Sequence, residues 1–161
     1  MSKETGEKVF EGHTGYLNFW PFFLNVLDPS DTRFKASFDM LVDEKSAMLT
    51  DFGVRSLSKN DPYYRQGDNY WTSPIWMNIN FLILKSLHGY STDPAVETTL
   101  RESIKATYDK LRDGVVGMIS NEYERTGFIW EVYDDQVGEG RDNHPFTGWS
   151  ALYLNILSEM Y

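Results

Sequence analysis

The 161-residue sequence contains no cysteine, and cationic side chains are its minority charge. The lack of cysteine excludes disulfide bonds, thiolate catalysis and zinc sites built on thiolates. With 15 Lys and Arg against 24 Asp and Glu, the formal net charge is −9. Nucleic acids and anionic membrane surfaces are bound through basic patches that this composition does not supply. We therefore expect no nucleic-acid partner.

Long apolar runs are also missing. No stretch approaches the roughly 20 apolar residues that a membrane-spanning helix requires, so we predict no membrane segment. The first residues lack the apolar stretch typical of a secretory signal peptide. The three histidines, His13, His88 and His144, share no ligand spacing, and no nucleotide-binding glycine pattern occurs. We accordingly predict neither a metal nor a cofactor.

Aromatic residues, by contrast, are abundant. The chain has 10 Phe, 5 Trp and 10 Tyr, together 16% of its residues. Aromatic side chains bury large apolar areas, and Tyr and Trp also carry a polar group. The composition is therefore compatible with a well-packed helical core and with a surface that stacks on sugar rings, and it does not choose between them.

Hydrophobic periodicity predicts five helices, and no alternation of strands with helices is present. The third helix is apolar on more than one side, which is typical of an inner helix, whereas the fourth has a single apolar stripe. These patterns favour an all-α fold. The helices are expected at residues 16–27, 32–43, 74–88, 94–123 and 148–161. The turn Asp28–Asp31 is expected to supply the N-cap of the second helix, and Leu157 and Met160 are expected on the buried side of the fifth.

Two connections, residues 49–73 and 126–145, lack helical periodicity and are too long for simple loops. Both are rich in Tyr and Trp, which argues against disorder. We expect two long ordered loops that pack over one end of the helices. The aromatic residues of the first loop fit either packing or a sugar-binding surface.

Glu131 lies among the aromatic residues of the stretch Phe128–Asp134, whose other carboxylate, Asp134, begins a turn. Desolvation among aromatic rings raises the pKa of a carboxyl group and suits it to general-base catalysis. A structural glutamate held by hydrogen bonds explains the same pattern. The residues alone leave both interpretations open.

Six short motifs, taken together and in order, resemble glycoside hydrolase family 63 and, within it, the eukaryotic α-glucosidases that process N-glycans. The motifs are His13–Tyr16, Phe52–Ser58, Gly67–Trp71, Pro74–Trp76, Thr126–Tyr133 and His144–Trp149. The resemblance implies part of an (α/α)6 toroid, with residues 13–161 as the C-terminal portion of a catalytic domain and residues 1–12 as an N-terminal extension. Two departures stand out, because Thr72-Ser73 replaces the usual Arg-Gly and Asp68 replaces the commoner Glu.

The resemblance also implies a mechanism and a substrate. Glu131 matches the general base of an inverting α-glucosidase, which removes the terminal α-1,2-linked glucose of the N-glycan precursor in the endoplasmic reticulum lumen. The residues expected to bind the glucosylated oligosaccharide are Arg55, Tyr64, Trp71, Trp76, Asn80, Tyr133 and His144.

The family's general acid lies upstream of the first matching motif, so the resemblance implies that an upstream remainder of the catalytic domain is a partner and that the isolated chain is inactive. The alternative is a non-catalytic remnant that binds sugar or serves as a helical interaction module.

Overall fold

The structure is a computed structural model that describes residues 12–161. The predicted N-terminal extension, residues 1–12, therefore lies outside the described residues except for Gly12. In chain order the elements are a 3-10 helix Tyr16–Phe19, α1 Trp20–Phe23, α2 Thr32–Val42, β1 Ile75–Trp76, α3 Met77–Thr92, α4 Thr98–Thr126, β2 Val132–Tyr133, β3 Gly140–Arg141, a 3-10 helix Trp149–Leu152 and α5 Tyr153–Leu157. Within residues 12–161, no helix is both long and apolar enough to cross a membrane.

The two long helices, α3 and α4, pack against each other and form the centre of the fold. The predicted apolar stripe of α4 is confirmed, because its buried residues recur at helical spacing along one side. They are Ile104, Tyr108, Leu111, Val115, Met118, Ile119 and Glu122. The helix ends where Gly127 adopts a left-handed conformation with φ 76°, which glycine reaches without the steric cost of a Cβ.

A cluster of aromatic rings joins α1 and α2 to the end of α3. The ring of Phe34 lies edge-on to Tyr90, with centroids 4.6 Å apart, and Phe22 contacts both at 5.4 and 5.1 Å. The predicted N-cap of α2 is present, since the Asp31 carboxylate accepts a hydrogen bond of 2.8 Å from Arg33 N. Part of the aromatic excess is therefore core.

The first and last predicted helices are shorter than expected. Only Tyr16–Phe23 is helical in the first, and it ends before Asn25, whose φ of 54° is left-handed. The last predicted helix is replaced by the 3-10 helix Trp149–Leu152 and the short α5. A left-handed turn at Glu159, with φ 53°, follows them. Leu157 and Met160, predicted to be inside, are exposed.

The third and fourth helices have different boundaries from those predicted. Ile75 and Trp76 form a strand and not a first helical turn, and α3 continues through Gly89 to Thr92. Gly89 lies inside α3, where a Cβ would approach Asn25 Nδ2 at 3.0 Å, so the glycine permits a close contact between the helix and Asn25. α4 begins at Thr98 and not at Pro94, because Glu97 accepts hydrogen bonds from Thr99 N and Leu100 N and caps it.

The two long loops are ordered and meet in a small antiparallel sheet with the order β1-β2-β3. Ile75 pairs with Tyr133 and Trp76 with Val132 across β1 and β2. β3 completes the sheet on the other side of β2. The sheet places Glu131, the residue before β2, next to the end of the first loop.

Candidate active site

The backbone of Glu131 is fixed on both sides. Its N–H donates to Asn143 O at 3.0 Å, and its carbonyl accepts from Trp149 Nε1 at 2.8 Å and from Ser150 Oγ at 3.3 Å. The residue is 5% exposed. These contacts hold Glu131 between the loop that precedes the last helices and the 3-10 helix Trp149–Leu152.

The Glu131 carboxylate accepts hydrogen bonds at each oxygen. The hydroxyl of Tyr70 donates to Oε1 at 2.6 Å. Asn143 donates to Oε2 from its backbone N–H at 3.4 Å and also from its side-chain amide. Tyr70 is half-buried and Asn143 is exposed, so the carboxylate lies one layer of side chains below the solvent.

These hydrogen bonds lower the pKa of Glu131, the Tyr70 hydroxyl making the largest contribution and Asn143 adding to it against the effect of burial. The expected net rise of the Glu131 pKa is therefore wrong, although desolvation itself acts in the expected direction. Hydrogen bonds from neutral donors stabilise the ionised form more than burial destabilises it here. Glu131 is thus a carboxylate at neutral pH, the state that a general base requires.

An aromatic platform lies beside this carboxylate, formed by Trp71 and Trp76. Their rings stack with centroids 4.2 Å apart and planes 7° apart. Trp76 is buried, whereas Trp71 is 65% exposed and presents its outer face to solvent. Trp149, whose indole donates to the Glu131 carbonyl, lies 5.6 Å from Trp76. Exposed aromatic faces of this kind offer apolar contact to a ligand beside polar groups that orient it.

Arg55 and Tyr64 lie together in a second cluster, around Asp135. The Tyr64 hydroxyl donates to Asp135 Oδ2 at 2.7 Å, and Arg55 Nε lies 3.2 Å from the same oxygen. The Arg55 guanidinium also lies 5.5 Å from the Tyr64 ring centroid. Burial, followed by the Asp135 hydrogen bond, raises the pKa of Tyr64. The two residues contact Asp135 and not Glu131.

Asn80 and Tyr133 are wholly buried. The Asn80 amide accepts from Val54 N at 2.8 Å and donates to Val54 O and Trp76 O, both at 3.0 Å, and to Tyr16 Oη at 3.2 Å. The Tyr133 hydroxyl accepts from Trp130 N at 3.2 Å, and burial raises the pKa of Tyr133 to about 12. Asn80 supports the backbone of Trp76, and Tyr133 is part of β2. Neither side chain has exposed surface for a ligand.

His144 is exposed and follows Asn143 in the chain. Its ring lies 3.8 Å from the Trp130 ring and 5.1 Å from that of Phe128, measured between centroids. His144 therefore packs on the aromatic stretch that carries Glu131. The hydrogen bonds to the Glu131 carboxylate come from Tyr70 and Asn143 and not from His144.

Two grooves flank the site, and neither contains Glu131 in its lining. One, of about 680 Å³, lies between Trp71 and the first helical turn, and includes His13, Tyr16 and Leu57. The other, of about 580 Å³, lies between α4 and the last helices, beside Phe128 and Phe146. Trp71 lines the first groove, and Ser150, which donates to the Glu131 carbonyl, lines the second.

A carboxylate beside an open tryptophan face is an arrangement suited to sugar chemistry, and the family match agrees with it. The sequence matches the family described as glycosyl hydrolase family 63 C-terminal domain over residues 1–159. The chain belongs to glycosyl hydrolase family 63. The resemblance drawn from the six motifs is confirmed.

Several members of this family are similar to the chain over most of its length. The probable mannosyl-oligosaccharide glucosidase of Schizosaccharomyces pombe is 40% identical over 150 residues, and mannosyl-oligosaccharide glucosidase GCS1 of Arabidopsis thaliana is 39% identical over 154 residues. Each match covers 92% of the chain and 18% of the relative. The chain therefore spans less than a fifth of these family 63 relatives.

Solved structures confirm the fold class. The family 63 mannosylglycerate hydrolase from Thermus thermophilus in complex with glucose superimposes with a TM-score of 0.58 at 21% identity, over 91% of this chain and 32% of that one. Its complex with Tris gives a TM-score of 0.64 over 92% and 30%. At this identity the likeness concerns the fold alone. These family 63 structures are helical toroids, and the chain corresponds to about a third of one.

The sequence does not indicate three residues that shape the site of this family 63 chain. Tyr70 and Asn143 bond the Glu131 carboxylate and Asp135 pairs with Arg55, yet none of the three is among the predicted site residues, although Tyr70 lies in the motif Gly67–Trp71. Tyr70 is 61 positions from Glu131 in the chain, so no local pattern links the two. Asp135 has the sequence setting of a turn residue, and its pairing with Arg55 depends on the packing of the two long loops.

Proposed function

We propose that this chain is the base-bearing part of an inverting α-glucosidase that removes the terminal α-1,2-linked glucose from the N-glycan precursor oligosaccharide in the endoplasmic reticulum lumen. The observation that carries the proposal is the Glu131 carboxylate, ionised and oriented by two donors next to an open tryptophan face. The names of the relatives, mannosyl-oligosaccharide glucosidases, support the substrate.

In this mechanism Glu131 accepts a proton from a water molecule placed between it and the anomeric carbon. The water oxygen forms a bond to that carbon while the glycosidic bond breaks on the opposite face, and a general acid protonates the leaving oxygen. The lowered pKa keeps Glu131 ionised in mildly acidic conditions, at the expense of some basicity. The configuration at the anomeric carbon is inverted.

The substrate is held by the aromatic platform and the polar groups around it. The exposed face of Trp71 stacks on the C–H face of a sugar ring, and Trp76 supports it from behind. His144, at the surface beyond Asn143, is available for sugar hydroxyl groups. Tyr64, Asn80 and Tyr133 do not touch the sugar directly, since their hydroxyl and amide groups bond within the protein. Arg55 is buried in an ion pair with Asp135 and likewise acts indirectly.

The general acid comes from outside this chain, in an upstream remainder of the catalytic domain. The small share of the relatives that the chain covers, 18%, supports this division. Two open grooves beside Glu131 are consistent with surfaces that the remainder completes. The isolated 161-residue chain is accordingly expected to be inactive.

The test uses the full-length gene product and an α-1,2-glucosylated oligosaccharide. Glu131→Gln is expected to lower kcat by about 10²–10⁴-fold, the usual contribution of a general base. Glu122→Gln is the matched control, because Glu122 is equally buried but bonds Arg125 and Gly140 N. This control is expected to keep its turnover. NMR identifies which anomer of glucose is released first, and so whether the configuration is inverted.

Three results would contradict the proposal: turnover by Glu131→Gln at the wild-type rate, release of glucose with retained configuration, or turnover by the isolated chain that depends on Glu131. Binding of the oligosaccharide without turnover in the full-length protein would favour a non-catalytic sugar-binding remnant instead.

A further inference from the structure

Tyr70 contacts both halves of the candidate active site. Its hydroxyl donates to Glu131 Oε1 at 2.6 Å, and its carbonyl accepts from Trp76 Nε1 at 3.2 Å. Its ring lies edge-on to both tryptophans of the platform, with centroid distances of 5.3 Å to Trp71 and 4.7 Å to Trp76. One residue therefore links the carboxylate to the aromatic platform.

The backbone around Tyr70 holds it in this position. The Tyr70 N–H donates to Asp68 Oδ1 at 3.1 Å, and the preceding residue, Asn69, has a left-handed φ of 56°. The Asn69 side chain in turn accepts hydrogen bonds from Thr72 Oγ1 and Ser73 Oγ, at 3.0 and 2.7 Å. The turn that presents Tyr70 is thus fixed by local bonds that involve Asp68, Thr72 and Ser73, the three residues that depart from the usual family pattern.

The Glu131 carboxylate relies on neutral donors. Within residues 12–161 no ion pair joins it to a cation, and its hydrogen-bond donors are Tyr70 and Asn143. The other titratable groups nearby are Asp142, which acts on Tyr70, and His144, which packs on Trp130. Burial, and after it the Glu131 hydrogen bond, raises the pKa of Tyr70 to about 12, so its hydroxyl remains a donor throughout the working pH range.

We propose that Tyr70 is the positioning residue of Glu131: its hydroxyl orients the carboxylate, and its ring and carbonyl tie that orientation to the Trp71–Trp76 platform. The inference rests on the proposed function, in which Glu131 is the general base. Tyr70 donates once to Oε1, whereas Asn143 donates twice to Oε2, so the lone pair that remains free lies on Oε1, and it accepts the proton of the attacking water.

The experiment measures kcat, KM and the pH profile of kcat/KM in the full-length protein. Tyr70→Phe removes one hydroxyl and keeps the ring contacts. The acid limb of kcat/KM is expected to move to higher pH, because the largest cause of the low Glu131 pKa is gone. We expect kcat to fall by about ten- to a hundredfold as the carboxylate loses its orientation, with KM little changed. Tyr63→Phe, in the same loop and 59% exposed, is the matched control and should leave the profile unchanged.

A second variant retains the hydroxyl, in case Tyr70→Phe does not fold. 3-Fluorotyrosine at position 70 is a stronger hydrogen-bond donor, and it is expected to move the acid limb to lower pH. Opposite shifts in the two variants are a signature that a purely structural role would not produce.

The outcomes separate this inference from the proposed function. If Glu131→Gln is inactive while the two Tyr70 variants keep the wild-type acid limb, Glu131 remains the general base and the positioning role of Tyr70 is overturned. If Glu131→Gln is active, the proposed function fails on its own measurement, and the role given to Tyr70 fails with it. Opposite shifts at position 70 together with an inactive Glu131→Gln support both.

Discussion

The guanidinium of Arg55 and the carboxylate of Asp135 form a buried ion pair, with Nε and Oδ2 3.2 Å apart. The Asp135 side chain is fully shielded from solvent, and Arg65 approaches its other oxygen at 3.5 Å. Because Arg55 belongs to the first long loop and Asp135 to the second, the pair joins the two segments that carry the candidate active site. The sheet β1-β2-β3 makes the same connection through the backbone.

Asp135→Asn is expected to destabilise the protein by about 3–5 kcal/mol, because it leaves the buried Arg55 charge without its partner. Asp39→Asn is the matched control. It makes the same chemical change in an exposed pair with Lys35 within α2, where a loss of only about 0.3–0.5 kcal/mol is expected. Chemical denaturation of both variants gives the comparison, and equal losses would show that the buried pair does not hold the loops together.

The sequence predicts those parts of the fold that depend on local patterns. The apolar stripe of α4 and the Asp31 cap of α2 are properties of neighbouring residues, and both are confirmed. The strand Ile75–Trp76 is not predicted because its partners, Val132 and Tyr133, are distant in the chain. Local signals such as Pro74 favour a helix at Ile75–Trp76. In the fold these residues pair with the second long loop instead.

The candidate site is predictable as a set of motifs but not as a geometry. The motifs single out Glu131 and the two tryptophans, and in the fold Tyr70 links them. The direction of the Glu131 pKa is predicted wrongly, because it depends on the Tyr70 hydroxyl, which only the folded chain brings within 2.6 Å. Asn80 likewise looks available for a ligand in the sequence, whereas in the fold its amide is buried and fully hydrogen-bonded.

Two glycines of α4 are expected to respond in opposite directions to alanine. A Cβ at Gly114 would lie 2.3 Å from the Asp51 carbonyl oxygen, so Gly114→Ala must push the first long loop away from the helix, and we expect a loss of about 1–3 kcal/mol. A Cβ at Gly117 meets no atom within 4 Å. Gly117→Ala is expected to stabilise the helix by about 0.5–1 kcal/mol. Thermal unfolding measures both, and stabilisation by Gly114→Ala would contradict the close contact.

Trp71→Ala is expected to weaken substrate binding while the chemical step is preserved. The side chain is exposed and supplies one aromatic face, a contribution of about 0.5–1.5 kcal/mol, so KM for the oligosaccharide in the full-length protein should rise about two- to tenfold. Tyr63→Ala, another exposed aromatic residue of the same loop, serves as the control and should leave KM unchanged. A decrease in kcat with unchanged KM would place Trp71 outside the sugar-binding surface.

The lowered pKa of Glu131 also predicts how stability depends on pH. Because the folded state holds this carboxylate ionised below its usual pKa of 4.5, the folded protein binds fewer protons than the unfolded chain in that range. The stabilisation is therefore complete above about pH 4.5 and is lost as the pH falls through the lowered folded-state value.

The difference in unfolding free energy between the wild type and Glu131→Gln is expected to be constant at neutral pH and to shrink in acid. Denaturation curves from about pH 7 to about pH 3 measure it. Glu44→Gln, at an exposed position, controls for the general effect of removing a carboxylate and should give a flatter difference. A difference that grows as the pH falls would mean that folding raises the pKa of Glu131, and the hydrogen bond from Tyr70 would then not be its main determinant.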